Sequence, residues 1–191
     1  MIINTPKRRT KKFIVLIITI VLVAVYIFGG YIAAYIIYLG NLSRVEILNP
    51  DWFFVYYTYL DADQMKYPRS EFTFNSRKNT LTGYEYGEEN NRGLIVISSG
   101  LGGTGDYYME FITRFLDDGY RVITYDNTGV ARSEGSGTRG LYQSAIDIDA
   151  LLTYIETQSK YDNLPVYLIG HSWGGYGVCA ALAHNNHDSV K

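Results

Sequence analysis

The sequence predicts an α/β fold, a leading β-hairpin followed by a mostly parallel sheet with flanking helices, preceded by one transmembrane helix. Three observations predict it. Phe13–Leu39 contains no charged residue. From Glu71 onward, short apolar runs alternate with stretches of helical periodicity, the pattern of strand–helix units. Glycine-rich turns follow those apolar runs, where open sheets of this kind bind their ligands. The 191 residues leave room for one domain and an anchor, and 47% hydrophobic with 19% charged is ordinary for that combination. A net charge of -2 lacks the basic excess that nucleic acid demands, so no nucleic-acid partner is expected. The single cysteine, Cys179, excludes an internal disulfide.

The anchor comes first. A bilayer core needs about 20 apolar residues in a helix. Phe13–Leu39 exceeds that and spans with tilt. Tyr31, Tyr35 and Tyr38 recur at helical spacing near its far end, where an aromatic belt sits. Lys7, Arg8, Arg9, Lys11 and Lys12 precede the span, and only Arg44, Lys66 and Arg69 follow it closely. The positive-inside rule makes residues 1–12 a cytoplasmic tail and places the remainder outside a cell membrane crossed once. A cleaved signal peptide is the alternative, with Ala33-Ala34 as its cleavage feature, but its apolar region would run only about 7–15 residues.

Residues 40–70 form a connector rich in aromatics: Trp52, Phe53, Phe54, Tyr56, Tyr57 and Tyr59. Asn49-Pro50-Asp51 is a helix start with Asp51 as N-cap. Such a helix either lies on the membrane or packs its rings against the domain; packing is favoured, because aromatics dominate core contacts.

The domain proper runs over 71–191. Glu71–Ser76 and Leu81–Tyr86 read as a hairpin turned by Arg77-Lys78-Asn79. Leu94–Ser98, Arg121–Tyr125 and Val166–Ile169 read as buried parallel strands. Asp106–Asp118 is a helix with Tyr108, Phe111, Ile112 and Phe115 on one side, stopped by Gly119. Leu141–Lys160 is the clearest helix, with Leu141, Ala145, Ile148, Leu152 and Ile155 stepping by three and four. Tyr176–His184 is the last.

The chemistry gathers at Gly170-His171-Ser172-Trp173-Gly174, a G-x-S-x-G directly after a strand and directly before a helix. That is the setting of a nucleophile elbow, with Ser172 as nucleophile. Gly170 and Gly174 remove side chains that would clash across so sharp a turn. Attack on a carbonyl creates an oxyanion, which N–H donors must meet. The backbone N–H of Trp173 is one donor; the loop Ser98-Ser99-Gly100-Leu101-Gly102-Gly103 supplies the other, with Leu101 the candidate. Two other readings exist. Ser172 could merely cap the helix. And Gly100, Gly102 and Gly105 fit G-x-G-x-x-G, with Asp126 about 20 residues on as a ribose-binding acid, a dinucleotide signature; that reading leaves Gly170–Gly175 unexplained.

At this point the chain resembles the α/β-hydrolases of the lysophospholipase and serine-aminopeptidase type, over roughly Glu71 to Lys191. Ser99-Gly100-Leu101-Gly102-Gly103 resembles their H-G-x-G-G oxyanion loop. Asp126-Asn127-Thr128-Gly129, with Ser133 and Gly135, resembles their D-x-R-G-x-G-x-S-x-G loop. Gly170–Gly175 resembles their elbow. Ser99 stands where the family often has His, and Asn127-Thr128 departs from the usual Arg. The resemblance implies an α/β-hydrolase fold, incomplete here, and hydrolysis of an ester, amide or thioester through an acyl-enzyme on Ser172. A small-molecule or lipid- or peptide-like acyl substrate is implied, with no cofactor.

In this fold the acid and then the histidine follow the serine. Only His184, His187 and Asp188 are available after Ser172. A helix rises about 1.5 Å per residue, which carries His184 well beyond the roughly 3 Å a general base needs. Both histidines are expected at the surface, at the helix end. His171 is expected to point away from the nucleophile and support the elbow, Cys179 to be a small buried helix residue, and Asp147 and Asp149 to be exposed. No His/Cys/carboxylate cluster has metal-ligand spacing, so no metal is expected. The chain is therefore expected to be the front part of a longer hydrolase, C-terminally truncated and nearly inactive alone. A non-catalytic membrane-tethered binding module of the same fold is the alternative.

Overall fold

In the computed structural model the described residues are 7–46, 57–185 and 187–191. Helix α1, Lys7–Asn41, contains the apolar segment Lys11–Leu39, 29 residues with none buried against protein. At about 1.5 Å per residue it extends roughly 44 Å, long and apolar enough to cross a bilayer by length and composition. The contacts divide the chain into one unit ending at Leu42 and a second running from Ser43 to Lys191.

The second unit is built on a five-stranded sheet. β1 (Arg69–Ser76) and β2 (Asn79–Tyr86) form the expected hairpin, and β3 (Leu94–Ser98), β4 (Arg121–Tyr125) and β5 (Val166–Gly170) follow in the order β1-β2-β4-β3-β5. β3, β4 and β5 are mutually parallel, whereas β2 joins β4 antiparallel, so the sheet is mixed. Leu94 and Val96 face one core, Ile95 and Ile97 the other, the period-2 alternation of a strand buried on both sides. α3 (Gln143–Glu156) and α4 (Trp173–His184) cover the first face; α2 (Met109–Asp117) covers the second.

Several sequence expectations shift. The helix expected over Asp106–Asp118 begins as a 3-10 turn at Gly105–Tyr108 and becomes α-helical only at Met109. Its buried residues are Met109, Ile112 and Leu116, while Phe111 is exposed. Leu141 lies before α3 and is exposed. β5 was expected to be buried, yet only Val166 is; Tyr167 and Ile169 are exposed, because β5 is the edge of the described sheet and only an isolated parallel bridge, Val166 to Val190, lies beyond it. Of the connector, Tyr57 and Tyr59 pack against the core beneath α2, with Tyr59 edge-on to Tyr86 at 5.9 Å. Trp52, Phe53, Phe54, Tyr56 and the helix start at Asn49-Pro50-Asp51 lie outside the described residues.

Asp147 is the largest correction. It is fully buried rather than exposed, because it repeats the phase of Gln143 and Leu151, which also face inward. Its carboxylate accepts from Ser76 Oγ at 2.6 Å, Thr128 N–H at 2.8 Å, Thr128 Oγ1 at 2.9 Å and Gln143 Nε2 at 2.8 Å. One side chain of α3 thus ties together β1, the loop after β4 and its own helix. Hydrogen bonds to a charged group contribute about 1.5–3 kcal/mol each net of the water they replace, and removing a shared acceptor strands several buried donors at once. Asp147→Ala should therefore cost about 3 kcal/mol or more in urea unfolding of the chain in detergent micelles. A loss below about 1 kcal/mol would mean that the four donors find other partners.

Candidate active site

The sheet order creates the site. The chain passes from β3 to β4 on one side, then crosses back over β3 to β5 on the other. The loops leaving β3 and β5 therefore diverge at one point, outside the carboxyl ends of the strands, where open α/β sheets bind ligands. Ser99–Gly103 leaves β3 there and His171–Gly174 leaves β5, with His171 N–H donating to the Ser98 carbonyl at 3.1 Å.

Ser172 has φ 53° and ψ -114°, a conformation L-residues rarely adopt. The neighbours enforce it. A Cβ on Gly174 would meet the Ser98 carbonyl oxygen at 2.2 Å, and one on Gly170 would meet the Gly175 Cα at 2.5 Å. Gly177 continues the clearance: a Cβ there would meet Ser144 Oγ at 2.5 Å, so α4 lies directly against α3. Gly174 N–H bonds the His171 carbonyl and Tyr176 N–H the Ser172 carbonyl, which starts α4 immediately. Ser172 makes no side-chain cap to that helix. Its hydroxyl is exposed and has no hydrogen-bond partner among the described residues, so capping does not explain the serine.

Trp173 is buried and its indole N–H donates to the Leu141 carbonyl at 2.7 Å, while Ser144 Oγ donates to the Trp173 carbonyl at 2.9 Å. Its backbone N–H is in the first turn of α4, where helical acceptors are lacking. Across the gap, Gly100–Gly103 is a turn closed by Gly103 N–H to the Gly100 carbonyl at 2.9 Å, with Gly102 at φ +70°. Leu101 sits at its apex, exposed. Gly100, Leu101, Gly103, Tyr107, Tyr108, His171 and Ser172 line a cavity of about 280 Å³ that is open to solvent. The expected site residues Ser172, Trp173, Leu101, Gly170 and Gly174 thus converge on one place.

Residues to which the sequence assigns no structural role hold the loops. Asn127 Nδ2 donates to Ser99 Oγ at 3.3 Å, and Ser99 Oγ donates to the Gly103 carbonyl at 2.8 Å. Ser99, which departs from the family pattern, and Asn127, which precedes the departure at Thr128, are therefore a hydrogen-bonded pair that fixes the turn. Ser133 Oγ donates to the Asp126 carbonyl and accepts from Thr82 N–H, anchoring the loop after β4. Arg44, just after α1, donates to the carbonyls of Ala131, Ser133 and Gly135 in that same loop. The signal for Arg44 was faint: a single cation just after the apolar span, followed two residues on by Glu46.

Other expectations are corrected. His171 does not turn away; its ring lines the cavity beside Ser172 and bonds Tyr108 OH at 3.0 Å. His184 is exposed at the end of α4 as expected, but His187 is buried, with Nε2 3.0 Å from Asp149 and Nδ1 3.2 Å from Glu156. Two carboxylates of α3 draw it inward. Cys179 is exposed, because α4 buries the stripe Trp173, Gly174, Gly177 and Ala181 and Cys179 falls outside it. Asp126 is buried, and that burial pushes its carboxyl up to about 6 against the hydrogen bonds from Tyr84 OH and Arg132 N–H. A ribose-binding role for Asp126 also fails at the helix: the pyrophosphate of a dinucleotide needs a helix N-terminus at the glycine loop, and α2 begins only at Met109.

The fold and this turn define an α/β-hydrolase. The family described as "Serine aminopeptidase, S33" matches residues 89–191, and the chain belongs to it. RutD of Serratia proteamaculans (strain 568), assigned as a carbamate hydrolase, is 34% identical over 93 residues, 47% of this chain and 32% of that protein. Proline iminopeptidase of Chitinophaga pinensis is 30% identical over 94 residues, 49% of this chain and 31% of that protein. The matched stretch is thus about a third of the length of these relatives. An esterase of Pyrococcus furiosus superposes with a TM-score of 0.61 at 14% identity, covering 77% of this chain and 53% of that one. These relatives are hydrolases, and hydrolysis is the general activity the family shares.

The strain at Ser172 and the absence of room at Gly174 make opposite predictions. Ser172→Gly should raise stability by about 1–3 kcal/mol, since glycine adopts that backbone freely. Gly174→Ala should lower it by about 3 kcal/mol or more, because backbone atoms of Ser98 and Ser99 cannot yield. Thermal melts of both variants check this; equal shifts would contradict it.

Proposed function

We propose that this chain carries the nucleophile portion of a serine hydrolase, acting on an ester, amide or thioester through an acyl-enzyme on Ser172. The observation that supports it best is the strained Ser172 backbone, held at the switch point with an unengaged hydroxyl beside the glycine turn. Trp173 and Leu101 are the proposed oxyanion donors, each worth roughly 10²–10³ in rate. Gly170 and Gly174 are the clearance residues of the elbow. The chemistry asks for no cofactor or metal, and the proposed substrate is a small-molecule or a lipid- or peptide-like acyl compound.

Activation of the hydroxyl needs a base within about 3 Å. His184 is at the far end of α4 and His187 is engaged by Asp149 and Glu156, so neither is positioned for it. The acid and base are assigned to chain beyond these 191 residues, in keeping with a match to only about a third of the relatives. Residues 71–191 are then the front part of the catalytic domain, 40–70 the connector, 13–39 a transmembrane anchor and 1–12 a cytoplasmic tail. The proposed location is the cell membrane, single-pass, with the hydrolase domain outside.

A fluorophosphonate probe tests the catalytic reading. The 191-residue chain should label weakly or not at all, because a triad acts as a unit. A longer product carrying the acid and histidine should label strongly, and Ser172→Ala should abolish that. Strong labelling of the short chain at Ser172 would show that its base is present; no labelling of the longer product would favour a non-catalytic binding module. Topology has its own reporter. Cys179 is the single cysteine and is exposed. A membrane-impermeant maleimide should modify it in intact cells; modification only after lysis would place the domain inside.

A further inference from the structure

Tyr108 occupies a position that the proposed reaction has not yet used. Its hydroxyl lies 3.1 Å from Gly100 N and 3.0 Å from His171 Nδ1, so a single phenol joins the turn after β3 to the turn after β5. Those residues immediately precede Leu101 and Ser172. The rings of Tyr108 and His171 meet edge-on at 6.0 Å, and a Cβ on Gly100 would come within 3.2 Å of His171 Nδ1. The three groups are therefore in mutual contact on the wall of the Ser172 cavity.

Counting protons points to the donor at each contact. Gly100 N–H can only donate, so the phenol oxygen accepts from it. The phenol has one proton of its own, and burial raises the hydroxyl's pKa so that it keeps that proton. Among the described residues the one acceptor within reach of that proton is His171 Nδ1. With Nδ1 accepting, a neutral imidazole carries its hydrogen on Nε2.

We infer that Tyr108 is a positioning residue of the hydrolase site: it withdraws Gly100 N–H from the cavity, leaving Leu101 N–H as the loop's donor, and locks His171 in the tautomer whose Nε2–H is free to donate beside Ser172. This rests on the reading of Ser172 as nucleophile for its purpose, though not for its geometry. A preorganised donor set stabilises developing charge because nothing has to reorient during reaction.

Side-chain nitrogen NMR of the 191-residue chain in detergent micelles, at pH 8 where ordinary imidazoles are neutral, tests the inference with no catalysis required. There are three histidines, and His171→Gln identifies the signal. In the unaltered chain His171 should show an unprotonated Nδ1 and a protonated Nε2. Tyr108→Phe should convert it to a mixture of tautomers and speed hydrogen exchange at Gly100 N–H at least about ten-fold, while amides of β3 are unchanged. A protonated Nδ1 in the unaltered chain overturns the inference outright, even if Tyr108→Phe fails to fold. Unchanged tautomer and exchange in a folded Tyr108→Phe also overturn it. Failure of the longer product to label with fluorophosphonate would sink the catalytic reading and leave the tautomer result standing, so the two failures are distinguishable.

Discussion

Everything at the switch point depends on one close approach: the backbone of the β5–α4 turn lies against the backbone of the β3 loop with no side chain between them. Gly174 sits where a Cβ would be 2.2 Å from the Ser98 carbonyl oxygen. That contact brings the start of α4 over the end of β3. It also forces the chain to reverse within His171–Gly174, which puts Ser172 at φ 53°. A residue held in such a conformation costs of order 1–3 kcal/mol and persists only where its surroundings over-determine it. Here they do: β5 pairs with β3 on one side, Trp173 is fastened at both its indole and its carbonyl, and Gly177 lets α4 lie on Ser144. The strain is imposed by the sheet order rather than by the serine.

The same logic explains the buried polar groups. A sheet with helices on both faces leaves its loops to be held by something other than apolar packing, since turns expose backbone donors and acceptors that must be satisfied. Asp147, Ser133 and Arg44 meet that demand for the loop after β4, and Asn127 meets it for the turn after β3. They form two supports. Asp147 holds Thr128, and through it the loop after β4, against α3 and β1. Asn127 holds Ser99, and through it the turn carrying Leu101. Adjacent residues of one loop thus serve the core and the site at once, so a change at either is felt at the other.

The fold was largely legible because it rests on period and punctuation. β3, β4 and the hairpin announced themselves as short apolar or alternating runs between turns, and Gly170–Gly175 announced the turn between a strand and a helix. What stayed hidden depended on contacts between distant segments. Asp147 reads as a solvent-facing carboxylate unless its phase with Gln143 and Leu151 is noticed, and even then its partners lie 71 and 19 positions away. His187 looks like a helix-end residue, because nothing near it in sequence reveals Asp149 and Glu156 beneath it. Cys179 was misplaced for a related reason: a small apolar residue of α4 is expected to be buried, whereas α4 lies beside the edge strand and buries only one stripe. His171 and Tyr108 were read from their own elements, and their relation exists only where two loops meet.

That last point bears on how such a site keeps its geometry before substrate arrives. Leu101 and Ser172 belong to loops leaving different strands, and strands can shift by fractions of an ångström without disturbing a core. Two kinds of tie connect the loops. Backbone contact at Gly174 sets how closely they approach, and the phenol of Tyr108 sets how they are turned. The first cannot vary without breaking the fold; the second is a pair of hydrogen bonds at 3.0–3.1 Å, each worth about 1 kcal/mol net. Distance is therefore fixed by sterics, and orientation by hydrogen bonds that hold the Ser99–Gly100 peptide and the His171 ring in place before substrate arrives, while the Gly103 N–H holds the Gly100–Leu101 peptide through its carbonyl, so the loop carrying Leu101 has nothing left to reorient when charge develops.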